Sequence, residues 1–101
     1  MSFDDFKKDV ETKNGSITKY ELQEYHFEPY SFGSGRLGYR IKGKNHKFVF
    51  DGRDNRLTWL VSGPQKKYFE ANFTEIFSKD GLEMTVEELK NEIKDSAQHF
   101  V

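Results

Sequence analysis

The stretch RLGYRIKGKNHKFVFDGRDNRLTWLVS, residues 36–62, decides the fold. Leu37, Tyr39 and Ile41 alternate with Arg36, Gly38, Arg40 and Lys42. Phe48 and Phe50 alternate with Lys47, Val49 and Asp51, and Leu57, Trp59 and Val61 alternate with Arg56, Thr58, Leu60 and Ser62. A period of two is that of a strand, whose successive side chains point to opposite faces. Three such runs, separated by GKNH and GRDN, predict an antiparallel meander with an apolar and a polar face.

The preceding stretch SITKYELQEYHFEPY, residues 16–30, reads as a fourth strand with Ile17, Tyr20, Leu22, Tyr25 and Phe27 as its apolar members. Tyr20 and Leu22 share one parity, Tyr25 and Phe27 the other. A bulge between them reconciles the two phases. Before that strand, Phe3, Phe6 and Val10 recur at helical spacing. Ser2 is placed to cap this helix, Asp4 and Asp5 suit the positive end of its dipole, and Asn14-Gly15 supplies a stop.

Beyond the meander, Pro64 is tolerated at a first helical position after Ser62-Gly63. Phe69, Phe73, Ile76 and Phe77 then follow at i, i+4, i+7 and i+8, predicting a helix that ends at Asp80-Gly81. Phe69, Ala71 and Phe73 also alternate, so a fifth strand competes for residues 66–78. In the last segment Thr85 and Glu88 form a capping box and Met84 with Leu89 a hydrophobic staple. Leu89, Ile93 and Phe100 make its buried stripe. The expectation is one α+β domain, residues 1–101, of order α-β-β-β-β-α-α. Its four-stranded antiparallel meander carries the N-terminal helix and two C-terminal helices on one face.

Composition agrees with a folded domain. In 101 residues there are ten Phe and five Tyr, and the 33% of charged residues is nearly balanced, with a net charge of −1. Disordered chains combine high net charge with few aromatics, the opposite of this. The absence of cysteine excludes disulfides, thiolate metal sites and cysteine nucleophiles. No apolar run approaches the ~20 residues that span a bilayer. MSFDDFKKDVETK, residues 1–13, lacks the apolar segment of a secretory signal. A soluble, cytoplasmic protein is expected, with no membrane partner.

Residues 31–41, SFGSGRLGYRI, contain a literal G-x-G-x-x-G at Gly33, Gly35 and Gly38. A dinucleotide site requires a helix to begin within those glycines, so that its amides meet the pyrophosphate. Here an alternating strand follows instead. A kinase-type glycine loop would place valine where Arg40 stands. The glycines therefore read as a turn at Gly33 to Gly35 and a bulge or close approach at Gly38.

Glu24, His26 and Glu28 alternate, which puts two carboxylates and an imidazole on one strand face. That trio suits metal binding or acid–base chemistry, and equally the solvated face of a strand. His46 and His99 have no ligand spacing to it. DGRDN, residues 51–55, lacks the order and distal glutamate of a calcium loop. No G-x-S-x-G is present. No catalytic residue, cofactor or metal is assigned.

Charge is unevenly placed. Residues 36–67 hold nine basic and two acidic side chains, residues 1–28 four lysines and seven acids, and residues 70–95 three lysines and eight acids. With the apolar members of the meander turned toward the helices, Arg36, Arg40, Lys42, Lys47 and Arg56 share the opposite face. Such a face suits an acidic macromolecule, and it also suits plain solubility on an open sheet. The reading is a non-enzymatic binding or regulatory domain that contacts an acidic protein surface or a second copy of itself. The alternatives are a single-stranded nucleic-acid-binding protein, with bases lying on the sheet, and a small hydrolase or isomerase using Glu24, His26 and Glu28. A slip of one residue in register would turn the rings outward and favour nucleic acid.

Overall fold

The structure, a computed structural model, describes residues 1–15, 18–63 and 66–99. Its elements are α1 (Phe3–Gly15), β1 (Tyr20–Glu28), β2 (Ser34–Ile41), β3 (Lys44–Asp51), β4 (Arg56–Ser62), a 3₁₀ turn (Tyr68–Glu70), β5 (Thr74–Asp80) and α2 (Val86–His99). The strands form one antiparallel sheet in sequence order. The expected Ile17, Pro64 and Phe100 positions lie outside the described residues.

The meander has the register that its alternation implies. Leu37 faces Phe48 and Phe48 faces Trp59, so the apolar members of three strands share one face. Leu37, Tyr39, Ile41, Phe48, Leu57 and Trp59 are all wholly buried. Two helices cover them, bringing Phe3, Phe6 and Val10 from α1 and Leu89 and Ile93 from α2 into the same core. Rings interlock there: Phe6 meets Phe48 edge-on with centroids 5.6 Å apart, and Phe48 lies 4.7 Å from Trp59. Each such ring contributes about 1.5–3 kcal/mol by leaving water.

The helix starts are set by their own side chains. Ser2 Oγ accepts the Asp5 amide while Asp5 Oδ2 accepts the Ser2 amide. Thr85 and Glu88 exchange the same pair of bonds at 3.1 Å each, the capping box that the sequence predicts. Met84 and Leu89 are both buried beside it. Lys79 of β5 reaches Glu88 at 3.1 Å and ties α2 to the sheet edge.

Three features differ from the sequence reading. First, residues 74–80 form a fifth strand, so among the described residues the sheet has five strands and one α-helix follows it. Trp59 faces Phe77 and Leu60 faces Glu75, leaving Ile76 as an extra residue. This bulge lets the adjacent Ile76 and Phe77 both pack on the core, and it breaks the alternation that would have announced a strand. Second, the β2–β3 turn is only Lys42-Gly43, both at positive φ, of 52° and 78°. Third, Asn45 and His46 therefore belong to β3 and are buried.

The bulge expected in β1 is present. Leu22 faces Tyr39 and Glu24 faces Gly38, so Gln23 is the extra residue and the phase changes there. Among the described residues, no helix is long and apolar enough to cross a membrane.

Candidate binding face of the sheet

Antiparallel partners share a face, so the surface opposite the helices can be read from the register. Glu21 faces Arg40, Glu24 faces Gly38, Gly38 faces Lys47, and Lys47 faces Leu60. This face is not open. The chain between β4 and β5 returns across it, and Tyr68 of the 3₁₀ turn is buried over Gly38. A Cβ at Gly38 would collide with the Tyr68 ring and hydroxyl. Gly35, in turn, leaves room for the Phe3 ring on the helix side, and Gly33 turns the chain with φ of 75°. The three glycines thus serve a turn and two close approaches, with strand β2 running through the last two.

Tyr68 Oη donates to Glu24 Oε1 at 2.7 Å. Burial, reinforced by the Glu24 carboxylate, holds the Tyr68 phenol far above its ordinary pKa. Glu24 also meets Arg36 at 3.4 Å and Lys47 at 3.8 Å. The Lys47 ammonium lies 5.5 Å from the centroid of Phe73, whose ring packs edge-on against Tyr68. One carboxylate thus gathers two of the expected binding residues and anchors the covering segment.

The remaining expected residues are placed differently. Arg56 pairs with Asp80 at 3.0 Å across the β4–β5 edge, on an exposed surface. Lys42 sits in the β2–β3 turn and not on the sheet face, because the hairpin loop is shorter than GKNH suggests. Arg40 donates to Asn45 Oδ1 at 3.0 Å, and Asn45 Nδ2 donates to Ser62 Oγ and to the Lys66 carbonyl. The buried amide therefore fixes both Arg40 and the start of the covering segment.

That segment brings in residues that strand patterning alone does not group with Arg40. A cleft of about 440 Å³ opens between the Gln23 bulge and the 3₁₀ turn, lined by Gln23, Arg40, Lys66, Lys67, Phe69 and Glu70 together with Tyr68. Lys66 and Lys67 are exposed, and among the described residues neither has an ion-pair partner. Phe69 is 76% exposed at the cleft. Arg40 and Lys42 also line a neighbouring cleft with Lys19, Tyr20 and Glu21. The signal for Lys66, Lys67 and Phe69 was in the sequence, as a lysine pair beside aromatic residues, but a helical reading sent Phe69 toward the core.

Glu24, His26 and Glu28 do share a face, and the structure divides them. Glu24 serves Tyr68, Arg36 and Lys47, while His26 Nε2 pairs with Glu28 at 2.5 Å. His26 holds the Glu28 carboxyl below its usual range, chiefly through that hydrogen bond. Among the described residues, no group of three or more His, Cys, Asp or Glu side chains is arranged to hold a metal ion.

The fold and this face define a small α+β protein with a five-stranded antiparallel meander, two helices on one side and a covered basic surface on the other. Compared with protein families, curated proteins and solved structures, the chain matches none.

Proposed function

We propose that this chain is a non-enzymatic binding domain that docks an acidic protein partner in the cleft between β2 and the 3₁₀ turn. The observation that carries the reading is the convergence of Arg40, Lys66 and Lys67 beside the exposed ring of Phe69. Lys66 and Lys67, exposed and without an ion-pair partner among the described residues, attract an anionic surface, and the exposed Phe69 ring in the same cleft supplies apolar contact area. A rigid cleft favours this role, since Arg40 and the Lys66 carbonyl are both held by buried Asn45.

A polypeptide partner fits better than single-stranded nucleic acid. Tyr39, Phe48 and Trp59 are wholly buried, so these three rings of the meander are closed to stacking bases. Glu70 at the cleft and Glu21 beside Arg40 oppose a continuous phosphate chain. They leave room for discrete carboxylates.

The test is titration of the protein with a labelled oligoglutamate peptide and with oligothymidylate, repeated on Lys66→Glu/Lys67→Glu. Both lysines are exposed, so the double reversal should leave the fold intact. The peptide should bind more tightly than the oligonucleotide, weaken with added salt, and be lost in the variant. Equal binding by variant and parent would return these lysines to solubility. Tighter, steeply salt-dependent binding of oligothymidylate would favour the nucleic-acid reading.

A further inference from the structure

We infer that the β1–β2 hairpin tip is a second docking element: a preformed aromatic finger that enters an apolar pocket on a folded protein, with a carboxylate at the pocket mouth. Turns are usually built from small and polar residues. This one, PYSFG at residues 29–33, instead carries two aromatic rings in solvent. Tyr30 is 101% exposed and Phe32 is 69% exposed. Phe32 has φ of 59°, a left-handed conformation that a residue with a Cβ rarely adopts. Strained residues of this kind cluster at active sites, ligand clamps and switch regions.

The tip is held from behind. The Ser31 amide donates to the Glu28 carbonyl and the Ser34 amide to the Ser31 carbonyl, each at 3.1 Å. Ser34 Oγ accepts the Gly52 amide at 3.0 Å, which joins the tip to the β3–β4 loop. The Phe32 carbonyl lies so close to Gly52 that any side chain there would collide with it. The rings are thus displayed on a stiff support, which lowers the ordering cost of binding and suits an anchor residue.

Charge selects the partner. The Arg53 guanidinium lies 5.7 Å from the centroid of Phe32, and among the described residues it has no carboxylate partner. It is placed to meet one discrete carboxylate as the ring is buried. Glu28, Asp51 and Asp54 are exposed around the same tip. They would repel an anionic membrane or a phosphate backbone, and their desolvation opposes insertion into lipid. A protein pocket that presents one carboxylate to Arg53 brings a single anion to the tip, where a membrane or a phosphate chain would bring many.

The experiment places the photoreactive residue p-benzoylphenylalanine at Tyr30 of the full chain in its native cells, with exposed Lys90 of α2 as control position. The protein crosslinked at position 30 is purified and titrated with the parent, Tyr30→Ala, Phe32→Gly and Arg53→Glu. Phe32→Gly separates fold from function, because glycine adopts positive φ without penalty. Its thermal midpoint should equal or exceed the parent's, while affinity falls by at least tenfold. Tyr30→Ala should weaken binding by a similar factor, and Arg53→Glu should weaken it while Arg53→Lys restores part of the loss. Binding within twofold of the parent for both ring variants overturns the inference. So does the absence of a position-30 adduct, an adduct only with a second copy of this chain, or Tyr30-dependent sedimentation with phosphatidylserine/phosphatidylcholine vesicles.

Discussion

The ring of Tyr68 occupies the space that a side chain on Gly38 would need, and its hydroxyl reaches Glu24 at 2.7 Å on the neighbouring strand. This contact turns a glycine in mid-strand, normally a weakness, into a notch that seats the covering segment. Gly38→Ala should expel Tyr68 and cost about 1–3 kcal/mol, as overpacking does. The same substitution made in Tyr68→Ala should cost far less, since the collision is gone. Denaturant melts of the four proteins measure the coupling. Equal costs in both backgrounds would show that Gly38 is needed for another reason.

A milder change isolates the hydrogen bond. Tyr68→Phe keeps the ring in its notch but removes the donor to Glu24, which retains Arg36 and Lys47. The expected loss is about 1 kcal/mol. If Glu24 also positions the cleft through Tyr68, peptide affinity should fall in Tyr68→Phe without any change at Lys66 or Lys67. A variant with lowered stability and unaltered affinity would confine the contact to folding.

The indole of Trp59 donates to His46 Nδ1 at 3.2 Å inside the core. His46 must then be neutral, with its proton on Nε2. Burial, with a smaller contribution from Lys44, pushes its pKa down from 6.5 to about 4. Between those values the unfolded chain binds a proton that the folded chain does not, so stability rises with pH across the window. Above the unfolded value both states are neutral and the effect vanishes. Below the folded value the full penalty, about 3 kcal/mol, is reached. Urea midpoints should therefore fall as pH is lowered through this range, and His46→Gln, which keeps an acceptor for Trp59 without titrating, should flatten the curve. Parallel losses in both proteins would assign the acid sensitivity elsewhere.

Why His46 escaped the sequence reading bears on what a sequence can reveal. Asn45 and His46 are polar and follow a glycine, which reads as loop chemistry. Yet His46 shares parity with Phe48 and Phe50, and that signal places it in the core. The meander was legible because Leu37–Ile41, Phe48–Phe50 and Leu57–Val61 each alternate without interruption. The β1 bulge was legible because two pairs of apolar residues change phase across Gln23. The fifth strand was obscured by its own bulge, since Ile76 and Phe77 pack side by side on the core and mimic a helical step. The cleft was only half legible. Arg40 follows from strand parity, but Lys66, Lys67 and Phe69 reach it through a return of the chain that no local period encodes.

The capping box of α2 allows a simple check on local structure. Thr85 and Glu88 satisfy two amides that the helix itself leaves without partners. Thr85→Ala should cost about 0.5–2 kcal/mol, and Thr85→Gly only part of that relative to the parent. Thermal melts at fixed salt suffice. An unchanged midpoint in Thr85→Ala would mean that α2 frays without affecting the core.

Lys42 offers a way to separate the fold from the basic surface. It occupies the first position of a two-residue hairpin turn with φ of 52°, followed by Gly43 at 78°. Turns with positive φ at both central residues favour Asn-Gly, because asparagine tolerates the left-handed region better than lysine. Lys42→Asn should therefore leave the thermal midpoint unchanged or raise it, by the equivalent of up to about 1 kcal/mol. The same substitution removes a cation beside Arg40, in the cleft that adjoins the proposed docking site. Affinity for an acidic partner should fall through a slower association rate, and the difference should shrink as salt is added. The two effects have opposite signs, so a general loss of folding cannot imitate them. If Lys42→Asn raises the midpoint and leaves association with oligoglutamate unchanged at low salt, the turn lysine belongs to solubility, and the binding surface is confined to Arg40, Lys66 and Lys67.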